Sequence, residues 1–269
     1  MSATAAPAFA PPAYPDARSF RRKFGLLVPA TNTSMEHELW SLVGRNPQAL
    51  AGVGLHSVPV VTPAPALRTD ADRLAYRDQF LGGLQAAVKL AQLAAPEHLI
   101  MGMSLEHILA GLDAVRAPVA QAAAWSGLPW AAWHDAAHAA LTRYGARRIG
   151  LLTPFDRGGT ESAARLFADL GYEVGSSLGF ACADARLIAH VPDWAKERAI
   201  VEGLDPRGKR LDAVVQCGTN MSLVDVTERL EPRLGIPILG INAALFWHAL
   251  RQSGITGALA GGGRLLREF

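Results

Sequence analysis

Residues 212–225 read DAVVQCGTNMSLVD: an apolar run, Ala213-Val214-Val215, stops at Cys217-Gly218-Thr219-Asn220, and a helix-like segment follows. This is the layout of a buried parallel strand opening onto a small polar turn. Ligands of open α/β sheets bind at the carboxyl ends of such strands, so chemistry is expected at this turn. The pattern recurs upstream. Phe24–Val28 (FGLLV) is a buried-strand run that ends at Pro29-Ala30-Thr31-Asn32-Thr33-Ser34. Met35–Trp40 then has helical character, with Thr33 or Ser34 as N-cap.

Val53–Val61 predicts a second strand, Pro63–Thr69 a loop, and Asp70–Ala94 a helix. His98–Met101 predicts a third strand that breaks at Gly102-Met103-Ser104, with a helix from about Leu105. Gly127-Leu128-Pro129 leads into a fourth strand ending near His134. Strands alternating with helices predict an α/β fold with a parallel, doubly wound sheet. Met35, Trp40, Phe246 and Trp247 read as core at helical spacing.

The second half repeats the first. Gly25-Leu26-Leu27-Val28-Pro29 returns as Gly150-Leu151-Leu152-Thr153-Pro154, and Gly127-Leu128-Pro129 with His134 returns as Gly235-Ile236-Pro237 with Asn242. Between them His98–Ser104 (HLIMGMS) corresponds to Val214–Asn220 (VVQCGTN), which matches Gly102 with Gly218. Three matches in one order predict a duplication. The expected architecture is two similar Rossmann-like parallel-sheet units related by a pseudo-two-fold axis, with the active site in the cleft between them. The division is a disordered tail over 1–22, a first unit over 23–134 and a second over 135–242, with 243–269 packing on the first. The helix after each fourth strand should tie the halves together.

With 269 residues, half of them hydrophobic and 19% charged, the chain has enough apolar material for one large or two medium domains. No apolar stretch approaches the roughly 18 residues that read as a membrane span. A net charge of +2 with scattered Lys and Arg excludes a nucleic-acid footprint. Two cysteines, Cys182 and Cys217, make no disulfide framework, and the expected compartment is a reducing cytoplasm. A homo-oligomer is left open.

The strand ends collect Thr31, Asn32, Gly102, Ser104, His134, Thr153, Cys217, Gly218, Thr219, Asn220 and Asn242. This set is rich in hydroxyls, amides and glycines and poor in charge. No phosphate-binding glycine motif and no metal-ligand spacing accompanies it. It suits a small anion, a carboxylate above all, held by N–H groups and hydroxyls. No cofactor and no metal are expected. Cys217, His134 and Glu106 are the catalytic candidates, and Thr31, Asn32, Gly102, Ser104, Thr153, Gly218, Thr219, Asn220 and Asn242 the binding ones. Each also has a purely structural reading: Cys217 as a buried hydrophobe, His134 as a helix cap, Glu106 and His107 on a solvated helix face, the amides as turn residues. Cys182 follows no strand-end motif and is expected to be a structural thiol.

GLLVPATNTSME, MGMS and QCGTN, in this order, resemble the aspartate/glutamate racemase superfamily, nearest the branch of maleate cis–trans isomerase and arylmalonate decarboxylase. The resemblance runs from about Phe24 to Gly254. It implies the duplicated fold, no cofactor, and substrate carboxylates bound between the halves. It further implies a cysteine at the third-strand end of each half in racemases and isomerases; the decarboxylase keeps only the second, which protonates an enolate-like intermediate. In this chain the first thiol position falls on Gly102. Counting from Asp212 and back from Gly235 puts the second on Gly218, one residue past Cys217, and a one-residue slip turns a strand side chain to the other face. The family's tyrosine is Phe155 and the decarboxylase's pocket threonine is Met103; Asn32 and Ser104 are retained.

The expected activity is cofactor-independent chemistry at the α-carbon of a small mono- or dicarboxylate. Decarboxylation is favoured because a single thiol lies near the site and one acid suffices. An isomerase or racemase using His134 or Glu106 is the alternative within the family. A carboxylate-binding protein without turnover is the alternative of another class.

Overall fold

The structure, a computed structural model, describes residues 15–61 and 70–269. The loop expected at Pro63–Thr69 and the first fourteen residues of the expected tail lie outside these. Two four-stranded parallel sheets form the frame. In the first, β1 (Arg22–Pro29), β2 (Val53–Val60), β3 (His98–Met101) and β4 (Trp130–Ala131) stand in the order β2-β1-β3-β4. In the second, β5 (Arg148–Thr153), β6 (Glu173–Gly179), β7 (Ala213–Gln216) and β8 (Ile238–Gly240) stand in the order β6-β5-β7-β8. One strand order used twice is the mark of a repeated unit. The inner strands are covered on both faces, which is why β1, β3 and β7 read as unbroken apolar runs. β6 is an edge strand of half-buried and exposed residues, EVGSSLG, and carries no such run.

Sheet register corrects one pairing read from the sequence. Leu27 lies beside Met101, and its equivalent Leu152 lies beside Gln216. The next N–H in each half, Gly102 and Cys217, donates to the Leu27 and Leu152 carbonyls at 2.7 and 3.0 Å. Gly102 therefore corresponds to Cys217, and Met103 to Gly218. The same registers, continued through Ile100–Ala131 and Val215–Leu239, keep His134 matched with Asn242.

The helices are α1 (Met35–Arg45), α2 (Asp70–Gln92), α3 (Leu112–Ser126), α4 (Trp133–Tyr144), α5 (Arg157–Asp169), α6 (Asp193–Arg198), α7 (Val224–Leu234), α8 (Ile241–Gln252) and α9 (Arg264–Glu268). α1 buries Met35, Glu38, Leu39 and Leu42, an i, i+3, i+4, i+7 stripe. Trp40, expected in the core, falls off that stripe and is 42% exposed. Ser34 takes the N-cap position of α1 as expected, but its side chain makes no cap bond; the Asn32 carboxamide accepts the N–H groups of Ser34 and Met35 instead, both at 3.0 Å. The fourth strand is only two residues long, and His134, expected at its end, sits in the first turn of α4. No helix starts at Leu105 either; residues 105–110 form turns, and α3 begins after Gly111.

The helices that follow β4 and β8 cross between the halves. α8 packs on α1, β3, β4 and α4, burying Leu245, Phe246, Trp247 and Leu250. α4 turns its Trp133 edge-on to Phe167 of α5 at 6.1 Å, and Tyr172 meets its His138 Nδ1 at 2.9 Å. Each large apolar side chain so enclosed stabilises the joint by about 1.5–3 kcal/mol. The Arg45–Asp225 pair also spans the halves at 2.6 Å, but its partners are too exposed to add more than about 1 kcal/mol.

Candidate active site

The carboxyl ends of β1, β3, β5 and β7 meet at a cavity of about 520 Å³ between the two sheets. Its inner end is lined by Thr31, Asn32, Ser104, Gly218, Thr219 and Asn220. These residues bond across the cleft. Asn32 Nδ2 donates to Thr219 Oγ1 at 2.9 Å, the Thr219 hydroxyl donates to the Gly102 carbonyl at 3.0 Å, and Gly218 N–H donates to Ser104 Oγ at 2.8 Å. Asn220 accepts the Thr33 N–H at 3.0 Å and donates to the carbonyls of Thr31 at 3.2 Å and Ala185 at 3.0 Å. The polar cluster that looks like a binding site is thus also the seam that holds the halves in register.

What remains free is specific. The Thr219 and Asn220 N–H groups find no acceptor among the described residues, in a turn closed by Met221 N–H to Gly218 O at 3.0 Å. The Ser104 hydroxyl keeps its own proton, and Asn32 one amide hydrogen. Successive outward N–H groups of such a turn make an anion seat. Gln216 supports it from behind, its amide donating to the Gly218 carbonyl at 2.8 Å and its carbonyl accepting the Ile241 N–H at 3.3 Å. Gly218 holds φ at +91°, and a Cβ there would stand 2.5 Å from Pro154 Cγ. Only glycine satisfies both conditions.

The outer part of the cavity is apolar on one side, with Phe80, Met103, Leu105, Ile108, Phe155 and Ile188. His107 stacks on Phe155 at 4.3 Å, and burial holds its imidazole down to about 4, so it is neutral at pH 7. The other side is the segment after β6, which carries Cys182, Asp184 and Arg186. Asp184 and Arg186 pair with each other at 2.7 Å.

The residues expected at the site thus divide. Gly102, Thr153 and Asn242 stand behind the cavity wall. Thr153 bonds Thr160 at 2.7 Å, and Asn242 bridges Glu38 at 2.7 Å and the Thr219 carbonyl at 2.9 Å. His134 is enclosed beside Asp135 on α4, away from the cavity. Glu106, expected on a solvated helix face, is fully buried in a turn. The Cys217 thiol does not border the cavity; it lies at 0% exposure against Glu106 and Trp133, and burial raises it well above its ordinary range, with Glu106 adding to the rise. Cys182, expected to be structural, is the half-exposed thiol on the cavity wall, itself raised by burial. Its approach was illegible because β6 gives no apolar run.

Among the described residues, no group of three or more His, Cys, Asp or Glu is placed to hold a metal ion, and no helix is long and apolar enough to cross a membrane.

Sheet order, duplication and a cleft lined by uncharged polar residues between the halves define a class, the two-unit α/β proteins of the aspartate/glutamate racemase type. A family model described as arylmalonate decarboxylase matches residues 70–266. The chain belongs to that family, in the maleate isomerase and arylmalonate decarboxylase branch of the superfamily, whose members are isomerases and lyases. It is 26% identical over 258 residues to a maleate isomerase of Nocardia farcinica (strain IFM 10152), covering 92% of this chain and 96% of the relative. Among solved structures it is similar to a Nocardia farcinica maleate cis–trans isomerase variant with a covalently bound succinylcysteine intermediate, at TM-score 0.77 and 24% identity over 92% of this chain and 99% of that one. It is similar also to arylmalonate decarboxylase, at TM-score 0.69 and 19% identity over 91% and 98%.

Proposed function

We propose that the cleft binds a carboxylate and that the protein acts at the adjacent α-carbon without a cofactor, by decarboxylation of a malonate-type acid. The observation that carries the reading is the uncharged anion seat of Asn32 and the Thr219 and Asn220 N–H groups, set beside an apolar wall. Such a seat holds the retained carboxylate and stabilises the charge that spreads onto it as CO₂ departs. The apolar wall disfavours the carboxylate that is lost. The cavity-facing strand-end positions, Met103 and Gly218, supply no thiol. Burial keeps Cys182 protonated at neutral pH, which disfavours it as a nucleophile for double-bond isomerisation.

The test is CO₂ release from phenylmalonate and fumarate formation from maleate, run side by side, with binding of both acids followed by calorimetry. CO₂ release is expected. Fumarate without CO₂ would transfer the reading to isomerisation, and binding without either product to a carboxylate-binding protein.

A further inference from the structure

Glu106 is unique among the described acidic residues: fully enclosed, yet with neither carboxyl oxygen in a hydrogen bond of good geometry. Its counterparts at similar depth are used up, Glu38 by three donors and Glu231 by two backbone N–H groups. The groups beside Glu106 are the Ser104 hydroxyl, the Cys217 thiol and the N–H groups of Leu105 and of Glu106 itself. Burial raises a carboxyl so placed above its ordinary range, because its ionised form is poorly compensated. Ser104 lies between this acid and the cavity: its Oγ accepts the Gly218 N–H at 2.8 Å and borders the space where a substrate would sit.

We propose that Ser104 is the group that protonates the substrate α-carbon, and that Glu106 behind it restores the serine proton. This rests on the decarboxylase reading of the cleft. The substrate's C–C bond breaks, CO₂ leaves, and the electron pair stays on the α-carbon, delocalised onto the retained carboxylate in the anion seat. The Ser104 O–H bond then breaks as the new C–H bond forms. The Glu106 proton passes to the serine oxygen, and solvent water re-protonates Glu106 after the product departs. One proton is consumed for each CO₂ released, and nothing is oxidised or reduced. The other titratable groups on the cavity suit this less. His107 is neutral and stacked flat on Phe155, Asp156 is exposed at the rim, Asp184 is paired with Arg186, and Cys182 has no carboxyl beside it to restore a proton.

Phenylmalonate is the probe. Glu106→Gln keeps the shape of the side chain and removes the acid, so it should bind phenylmalonate as wild type does in calorimetry. Its kcat for CO₂ release should fall about 10²–10⁴-fold, the range for losing a general acid. The wild-type kcat should decline as pH rises through the Glu106 titration; that limb should vanish in Glu106→Gln and return, shifted, in Glu106→Asp. Ser104→Ala should lose turnover as well. Independently of activity, the infrared difference spectrum of wild type minus Glu106→Gln at pH 7 should hold the carbonyl band of a protonated carboxyl.

Absence of that band overturns the proposal. So does a Glu106→Gln protein that releases CO₂ at the wild-type rate, or a loss of turnover confined to Cys182→Ser. Failure of wild type itself to bind phenylmalonate would remove the underlying reading of the cleft, and calorimetry separates that case from the others.

Discussion

Glu38 is the sharpest place to test how the halves are joined. It belongs to α1 in the first half, is 5% exposed, and directs its carboxylate at the second half. One oxygen accepts the first N–H groups of α7, from Leu223 at 2.7 Å and Val224 at 2.8 Å; the other accepts Asn242 Nδ2 at 2.7 Å. Hydrogen bonds to a charged group are worth about 1.5–3 kcal/mol each, so three of them amount to about 4.5–9 kcal/mol before desolvation. Holding the carboxylate out of water returns several kcal/mol of that, leaving a cost of about 3–5 kcal/mol when the partner is removed. A second cavity of about 90 Å³ lies beside the carboxyl, bordered by His37, Ser41, Arg45, Asp193 and Ser222, and has room for water to reach the bared N–H groups. Glu38→Ala should therefore fall at the low end, near 3 kcal/mol.

Glu38→Gln should cost less, about 1–2 kcal/mol. The Asn242 carboxamide oxygen has no partner, so its amide can turn over to accept the new N–H, giving up the Thr219 carbonyl in exchange. Urea unfolding at pH 7 measures both, with the slope checked for constancy. A Glu38→Ala protein within 1 kcal/mol of wild type, or a Gln variant as damaged as the Ala variant, would refute the view of Glu38 as the bolt between the halves.

Asn32→Ala should weaken diacid binding by about 1.5–3 kcal/mol, the worth of one hydrogen bond to a charged group, and cost about 1 kcal/mol of stability through the lost α1 cap; calorimetry and urea unfolding read the two separately. Iodoacetamide should label Cys182 faster than Cys217, and bound phenylmalonate should protect Cys182, both read by peptide mass spectrometry; faster labelling of Cys217 would contradict its enclosure. Burial raises the Glu106 carboxyl above its ordinary value of 4.5, so the stability its neutral form contributes is complete below that value and is lost as pH rises through the folded one. Glu106→Gln should accordingly gain stability over wild type from about pH 5 upward, by a margin that grows with pH in urea titrations.

Much of the frame was legible because the inner strands are apolar and stop at small polar residues. β3 was read to the residue, and GLLVP with GLLTP announced the duplication. The polar lining of the cavity was legible for the same reason, since Asn32, Ser104, Thr219 and Asn220 follow those strands. Reading failed where local pattern and tertiary context disagree. Ser104-Leu105-Glu106-His107-Ile108-Leu109 has the look of a capped helix, yet Gly111 at φ +88° precedes the actual helix start, and the segment folds over the cavity instead. Gly102 and Gly218 were matched on residue type, whereas hydrogen-bond register sets Gly102 against Cys217. Cys182 was read as a structural thiol because the edge strand before it, of small and polar residues, leaves no periodic trace. Glu38 drew no reading of its own, since nothing in its helix says that it caps another.

The glycine under the anion seat also governs how such a protein can drift. Replacing Gly218 by any residue with a Cβ must overcome a left-handed backbone, at about 1–2 kcal/mol, and a collision with Pro154 that costs about 1–3 kcal/mol more. A descendant that tries a side chain there meets both penalties in one step, with no intermediate to soften them. The floor of the cleft is therefore frozen, while Met103, Phe155, Cys182 and the rim beyond it already point side chains inward and can be exchanged one at a time. New specificities in this lineage should arise at the walls, around a glycine turn that stays where it is.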